Sequence, residues 1–367
     1  MRHTVARAVR RSRAPVLGVL LALGAAFASP SAFAQEQIVI RADLLFYGDN
    51  TEFHGPFRDG ETIFGAAGRV AGEIWLNDRV AVSAGAFVNQ RFGSEQAFEQ
   101  VRPVIALQVH TARSSLVFGT LPPPDTEMPL GPDLGGPHWL LPPLQRETLS
   151  YERPYETGIA WAFDSARFDH HFWLAWQRLN TPHHRERFDG GLRADLKLRN
   201  ILSIPLQWHV VHEGGQLYGS GAVSDSLAGA TGVKLNGSTA GGLVATLELL
   251  AAASRYVPNR ASPGLSRDGA AFFGRAAAER NAWRGHVIFW RGRNFMKDEG
   301  DPNYQSTYQT GDRYSGIRDY AEAGLARRFT LARAAFFDVS GRLHRVEGRY
   351  EYSFRLMSVV SASWKVR

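Results

Sequence analysis

The stretch RFDGGLRADLKLR, residues 187–199, decides the fold class of this chain. Every second residue from Phe188 to Leu198 is apolar or glycine, and the residues between them are charged except for Gly191. Successive side chains of a β-strand point to opposite faces, so this stretch predicts a strand with one apolar and one charged face. A shift of one residue would exchange the two faces, so the register is strongly specified.

Three further segments, 38–46, 98–110 and 350–366, repeat this alternation. An amphipathic helix would instead place apolar residues at every third or fourth position. We therefore predict an all-β chain that forms a transmembrane, antiparallel, up-and-down β-barrel of about 16 strands, with 14–18 as the range. The predicted strands are 37–47, 62–76, 79–91, 97–110, 114–121, 148–164, 167–179, 186–199, 201–214, 222–236, 240–255, 268–279, 281–293, 314–328, 331–346 and 348–366.

The connections between these strands alternate in length. Tight joints are predicted near 77–78, 112–113, 165–166, 200, 236–239, 280 and 329–330. The longer connections are 48–61, 122–147, 180–185, 255–267 and 294–313. Outer-membrane barrels have short turns at the periplasmic end and long loops at the extracellular end. We therefore expect both chain termini on the periplasmic side.

The first 34 residues have the features of a secretory signal peptide. They contain five arginines, a short apolar stretch at 16–27, and small residues at Ala32 and Ala34. We expect cleavage near Ala34, which leaves 35–367 as one barrel domain in the outer membrane of a Gram-negative bacterium. This leader holds five of the 42 basic residues and none of the 35 acidic ones, so the remainder is nearly neutral and no nucleic-acid partner is predicted. The lack of cysteine excludes disulfides and thiolate sites.

The leader, the alternating strands, the alternating loops and the amphipathic last strand together resemble the Gram-negative porin and outer-membrane channel superfamily. The resemblance covers nearly all of 37–367, although the chain ends Trp364-Lys365-Val366-Arg367, whereas many such barrels end on an aromatic residue. It implies an outer-membrane channel or porin that passes small polar solutes. The implied partners are outer-membrane lipid, the insertion machinery, and either a homotrimer or a periplasmic partner protein.

The connection 122–147 holds eight of the 18 prolines, which fix the backbone without secondary structure. A count of 16 strands resembles the general porins, in which the loop after the fifth strand folds inward and narrows the pore. The resemblance therefore implies a constriction loop here, and the alternative is an external loop packed over the rim. The residues proposed to reach the lumen are Asp125, Glu127, Asp133, His138 and Trp139.

An open barrel of this size would have a water-filled lumen lined by the polar faces of its strands. These faces carry both signs of charge, which either create a selectivity field for charged or sugar-like solutes or neutralise one another across strands. The predicted lining residues are Arg41, Asp43, Arg69, Glu73, Arg102, Asp189, Arg193, Asp195, Lys197, Arg275 and Arg284.

The hairpin 168–189 combines tryptophans with hydrogen-bonding side chains, which is the chemistry of sugar binding. Trp173 and Trp176 are three apart, so a strand places at most one of them in the lumen. The candidate sugar contacts are Trp173, Gln177, Arg185 and Glu186. The histidines of this hairpin, together with His209 and His212, lack a recognised metal-ligand spacing, so we predict no metal and no cofactor.

No sequence motif indicates catalysis. The nucleophile pattern Gly-x-Ser-x-Gly is absent, and Ser340 and His344 share a strand face but lie about 13 Å apart. A catalytic partner for either would have to come from a neighbouring strand, and we expect no enzyme activity. Besides a channel, two functions stay open: an export or binding barrel for a secreted polysaccharide, working with a periplasmic partner, and a plugged structural or adhesin barrel.

Overall fold

The computed structural model describes residues 37–122, 137–308 and 311–366. They form a closed ring of 16 antiparallel strands, which confirms the predicted fold class and strand count, and a two-stranded hairpin outside the ring. The strands are β1 (Gln37–Glu52), β2 (Glu61–Trp75), β3 (Val80–Arg91), β4 (Gln100–His110), β5 (Ser114–Thr120), β6 (Thr157–Asp164), β7 (Phe168–Arg178), β8 (Glu186–Arg199), β9 (Leu202–Gly214), β10 (Ser224–Ser238), β11 (Val244–Val257), β12 (Arg267–Arg280), β13 (Trp283–Arg293), β14 (Thr307–Tyr308), β15 (Gly311–Tyr314), β16 (Ile317–Ala332), β17 (Ala335–Val346) and β18 (Arg349–Lys365).

Helical structure is limited to short pieces within the described ranges. These are α1 (Leu149–Glu152) and the 3₁₀ turns Pro263–Leu265 and Pro302–Tyr304. None of the helices in those ranges has the length and apolar character needed to cross a bilayer.

The ring closes because the first and last strands pair. Asp43 lies opposite Ser361, and Thr51 lies opposite Ser353, in an antiparallel ladder between β1 and β18. Strands β14 and β15 form the separate hairpin, so β13 pairs directly with β16. A closed ring leaves no strand edge unpaired in the bilayer, where an unpaired backbone group would cost several kcal/mol.

Side-chain alternation separates the two faces of the wall as the sequence predicts. On β18, Tyr350 and Tyr352 point outward and are exposed, whereas Glu351, Ser353 and Arg355 point inward and are buried. Aromatic residues at the ends of outward faces are typical of the interfacial belts of membrane barrels. The outer surface of this strand therefore suits lipid, and its inner face carries the polar chemistry.

The barrel has a short-turn end and a long-loop end. Short turns such as 76–79, 200–201 and 281–282 lie at one end, and the loop 53–60 lies at the other with the described parts of the connections 121–156 and 294–316. The connection between β17 and β18 is the exception, because it is a tight turn at the long-loop end. It consists of Glu347 and Gly348, both with positive φ.

Two of the long loops enter the barrel, and we call their described segments 137–156 and 294–306 the plug. Leu140, Leu141 and Leu144 of the plug are fully buried in one apolar cluster with Trp173 of β7 and Trp290 of β13. Each fully buried leucine contributes about 2 kcal/mol of hydrophobic stabilisation. The described residues thus give the barrel a packed core across its middle.

A cavity of about 1030 Å³ lies between the plug and the short-turn end. Its upper surface includes His138 and Trp139 of the plug, and its wall includes Arg41 and Glu73. The lumen therefore divides into a packed region towards the long loops and a polar cavity towards the short turns.

Candidate active site

Three neighbouring strands bring a carboxylate, an imidazole and a hydroxyl together near the long-loop end. Glu322 on β16 lies opposite His344 on β17. Ser353 on β18 lies opposite Arg342, two residues before His344, and therefore sits diagonally from the histidine. All three side chains point into the barrel and are buried.

The distances among these groups are those of a nucleophile, its base and an orienting acid. His344 Nε2 lies 2.8 Å from Ser353 Oγ. The other ring nitrogen, Nδ1, lies 2.8 Å from the Tyr320 hydroxyl and 3.4 Å from Glu322 Oε2. A hydroxyl within hydrogen-bond reach of an imidazole that is itself held by a third group is the arrangement needed to activate a serine.

The loop segment 53–60, which we call the cover segment, lies over this group. The Phe53 ring meets the His344 ring edge-on, with 5.0 Å between centroids. Glu351 Oε1 accepts hydrogen bonds from the backbone N–H groups of His54 at 3.0 Å and Gly55 at 2.6 Å. Arg58 forms an ion pair with Asp301 of the plug at 3.2 Å. The cover segment is therefore held both to the wall and to the plug, and it encloses the histidine.

Two arginines flank Ser353 along the inner wall. Arg342 lies opposite Ser353, and Arg355 follows it by two residues on the same face. Both pair with Glu147 of the plug, at 3.1 Å and 2.9 Å, and Arg355 also pairs with Asp49 at 2.8 Å. The pKa of Glu147 is raised, because the effect of burial is larger than the opposite effect of Arg342 and Arg355. Positive charge beside a serine hydroxyl favours the oxyanion of an acyl-transfer intermediate.

A second polar group, made of Asp189, His209 and Glu299, holds the plug to the opposite wall. One carboxylate oxygen or imidazole nitrogen from each of the three residues lies within 4.8 Å of the others, which is close enough for them to bind one metal ion together. However, Arg153 already contacts Glu299 at 2.8 Å and Asp189 at 3.5 Å. Burial would raise the pKa of Glu299, but Arg153 outweighs it and holds this pKa well below its usual range. The carboxylates are thus neutralised by a side chain, and we assign this group to anchoring the plug.

Lys297 adds a further positive charge to the same region. Burial lowers its pKa to about 8, although the neighbouring Glu299 acts in the opposite direction. The acidic and basic side chains of this region thus neutralise one another. That no metal binds here stays a prediction.

The predicted lining residues lie on inward faces of their strands, but they do not share one environment. Arg41, Asp43, Arg69, Glu73 and Arg193 border the cavity. Several form salt bridges with a carboxylate on the neighbouring strand, as Arg41 does with Glu73 at 3.1 Å. Salt bridges of the same kind are formed by Lys197, Arg275 and Arg284. Asp195 accepts a bond from Ser203, and Arg102 is exposed on β4.

Asp189 departs from the prediction of a lumen-lining residue. It is fully buried beneath the plug, where it contacts Gln177, His209 and Arg153, so it does not meet an open lumen. Of the proposed constriction-loop residues, His138 and Trp139 lie in the plug above the cavity. The other three, Asp125, Glu127 and Asp133, lie outside the described residues.

The candidate sugar contacts do not form one site. Trp173 is fully buried and stacks on His138 with 3.8 Å between centroids, so no ring face is left for a sugar. Gln177 donates to Asp189 and Glu299, and Arg185 donates to loop carbonyls such as that of Gly215. Glu186 begins β8 at the rim. Tertiary packing uses Trp173, Gln177 and Arg185 in internal contacts, and a sugar-binding role stays a prediction.

The sequence interpretation missed Ser353, Glu322 and Tyr320, and it dismissed His344. It paired His344 with Ser340 on the same strand, whereas the nearby hydroxyl belongs to Ser353 on the next strand. The available signal was the unbroken run of inward polar residues on β18, Glu351, Ser353 and Arg355, beside inward His344. Strand alternation places these residues on one face, but only the pairing register brings particular residues together.

Comparison with known proteins identifies a family that matches this chain. A family model described as lipid A 3′-O-deacylase-type matches residues 29–367. No curated protein sequence matches the chain. The matched family is one of enzymes, so the expectation that this chain has no enzyme activity is wrong.

Solved structures show the same fold at low sequence identity. A loop L8 deletion mutant of OmpT, an outer membrane protein of Vibrio cholerae, has a TM-score of 0.55 at 11% identity, covering 89% of this chain and 99% of that one. OmpT in its trimer form has a TM-score of 0.52 at 10% identity, with coverage of 89% and 99%. Pseudomonas aeruginosa OpdO has a TM-score of 0.52 at 11% identity, with coverage of 89% and 98%. The architecture is that of an outer-membrane β-barrel, as the sequence resemblance predicts.

Proposed function

Because this chain belongs to the lipid A 3′-O-deacylase-type family, we propose that it hydrolyses an ester-linked acyl chain of lipid A at the group formed by Ser353, His344 and Glu322. The observation that carries the proposal is the 2.8 Å contact between Ser353 Oγ and His344 Nε2, with the Glu322 carboxylate on the far side of the same ring. Ser353 is the nucleophile, His344 the general base, and Glu322 the group that orients the base.

The reaction follows from the roles of these groups. Ser353 Oγ attacks the ester carbonyl carbon while His344 Nε2 takes the hydroxyl proton. The tetrahedral intermediate then expels the sugar alkoxide, which receives that proton from His344, and an acyl-serine remains. Water, activated by the same nitrogen, attacks the acyl-serine and releases the free fatty acid, which restores Ser353. The candidates for stabilising the oxyanion are Arg342 and Arg355, the two cationic side chains that flank Ser353 on the inner wall.

The location of the group suits a lipid of the outer leaflet. It lies at the long-loop end, which is the extracellular end of an outer-membrane barrel. Tyr350 and Tyr352, on the same strand, are exposed outward near the long-loop end, as is typical of aromatic residues at a membrane interface. Substrate reaches Ser353 when the cover segment moves away from Glu351 and His344.

Replacement of the nucleophile tests this proposal. Ser353→Ala and His344→Ala should each lower the rate of fatty-acid release from purified lipid A by roughly 10³-fold or more, since both act on the same step. The assay is mass spectrometry of lipid A after incubation with the refolded, detergent-solubilised protein. Ser340→Ala is the matched control, because Ser340 is also an inward, buried serine on the neighbouring strand. Wild-type release by Ser353→Ala would refute the proposal.

A second candidate is passage of small polar solutes, which the polar cavity of about 1030 Å³ favours. For this function a solute would have to pass the plug, whose leucines pack against the inner wall. Planar-bilayer recordings of the purified protein test it: steady ohmic conductance supports a pore, and silence at all voltages argues against one. Assembly as a trimer remains a prediction for this chain.

A further inference from the structure

A tyrosine hydroxyl stands between the histidine and the acid of the proposed active site. The Tyr320 hydroxyl lies 2.8 Å from His344 Nδ1 and 2.5 Å from Glu322 Oε2. The direct separation of His344 Nδ1 from Glu322 Oε2 is longer, at 3.4 Å. Tyr320 belongs to β16, two residues before Glu322 on the same inward face, and it is buried.

The protons on these groups can be assigned by counting donors and acceptors. A tyrosine hydroxyl has one proton, and the carboxylate of Glu322 accepts only, so Tyr320 donates to Glu322. The tyrosine oxygen is then the acceptor for the proton on His344 Nδ1. With Nδ1 protonated, Nε2 of the neutral ring carries a lone pair directed at the Ser353 hydroxyl. The chain of bonds therefore selects the tautomer that can accept a proton from serine.

The carboxylate at the end of this chain is fixed from its other side. Glu322 Oε1 accepts a hydrogen bond from His286 Nε2 at 2.7 Å, and Arg342 lies 4.0 Å away. His286 reaches this position over Gly324, where a side chain would collide with the imidazole ring. Glu322 is thus held by donors on both oxygens and cannot move towards His344 without losing one of them.

We propose that Tyr320 is a positioning residue of this active site, which links His344 to Glu322 through its hydroxyl and holds the histidine in the tautomer that activates Ser353. This inference rests on the proposed function. It goes beyond that function because the relay contains four groups rather than three, and the orienting acid acts through the tyrosine.

Tyr320→Phe tests the inference, because phenylalanine keeps the ring and removes only the hydroxyl. We expect kcat for fatty-acid release to fall roughly 10- to 100-fold while KM stays within about twofold, since the change affects proton transfer and not substrate binding. The rate at which a fluorophosphonate labels Ser353 should fall by a similar factor. A loss of packing alone would raise KM or abolish folding, which the heat-dependent gel mobility of the barrel reports.

Tyr304→Phe is the matched control. Tyr304 is a buried neighbour of Tyr320, with 4.5 Å between ring centroids, and its hydroxyl has no hydrogen-bond partner among the described residues. We expect this variant to keep the wild-type kcat and labelling rate.

The outcomes separate the two proposals. Wild-type kcat and labelling in Tyr320→Phe, with Ser353→Ala and His344→Ala inactive, would overturn the relay and leave the proposed function standing. Wild-type release by Ser353→Ala would overturn both. If Tyr320→Phe does not fold, Glu322→Gln provides the second variant, because an amide can still bond the tyrosine but no longer carries charge. Unchanged labelling in Glu322→Gln would also overturn the relay.

Discussion

At the scale of single residues, the largest energetic consequences come from charges that are buried inside the barrel and neutralised there by an ion-pair partner. Arg153 neutralises both Glu299 and Asp189 inside the barrel. Removal of one partner from a buried ion pair typically costs 3–5 kcal/mol, because the remaining charge stays desolvated. Exposed pairs contribute only about 0–1 kcal/mol. Inward charges on the same wall therefore differ in what they contribute to the free energy of unfolding.

We predict that Arg153→Met destabilises the barrel by about 3 kcal/mol or more. The folded pKa of Glu299 is depressed, so its contribution is fully present above its ordinary pKa of about 4.3 and is lost as the pH falls towards the depressed value. In Arg153→Met, the free energy of unfolding should lack this contribution from Glu299 and should therefore change less with pH over this range than in the wild type. Thermal unfolding followed by gel mobility at several pH values measures both effects.

Arg41→Met is the control, because Arg41 pairs with Glu73 while half of its side chain remains exposed. It should change stability by less than about 1 kcal/mol. Equal destabilisation by the two variants would contradict a larger contribution of the buried Arg153 ion pairs to the free energy of unfolding.

At the scale of elements, the cover segment 53–60 packs over His344, and we expect it to control access to Ser353. Its backbone N–H groups at His54 and Gly55 bond to one carboxylate oxygen of Glu351, and hydrogen bonds to a charged group are worth about 1.5–3 kcal/mol each. Glu351 therefore contributes to the closed position of this loop, together with the ion pair between Arg58 and Asp301.

The absence of native cysteine allows a direct measurement of its opening. In a Ser353→Cys background, we predict slow modification by a maleimide, and at least about tenfold faster modification when Glu351→Ala is added. Glu61→Ala is the control, because Glu61 is an exposed carboxylate that directly follows the segment. Equal rates in the two variants would mean that Glu351 does not hold the loop closed. This measurement needs no catalysis, so it is independent of the proposed reaction.

At the scale of the whole molecule, strand alternation and loop lengths were sufficient to predict the barrel and its 16 strands. They were not sufficient for the site, because Ser353, His344 and Glu322 meet through the register of three strands, and register depends on packing around the entire ring. The plug shows the same limit. Leu140, Leu141 and Leu144 stand in a proline-rich loop without periodicity, and only tertiary structure reveals that they are buried.

The pairing of β1 with β18 also has a consequence for biogenesis. Ser353 stands on β18, which closes the ring against β1, and the salt bridge from Arg355 to Asp49 joins these two strands. Until these two strands pair, the wall stays open and Arg355, which flanks the serine, lacks its contact with Asp49. Under the proposed reaction, we therefore expect full activity only once the ring has closed in the membrane.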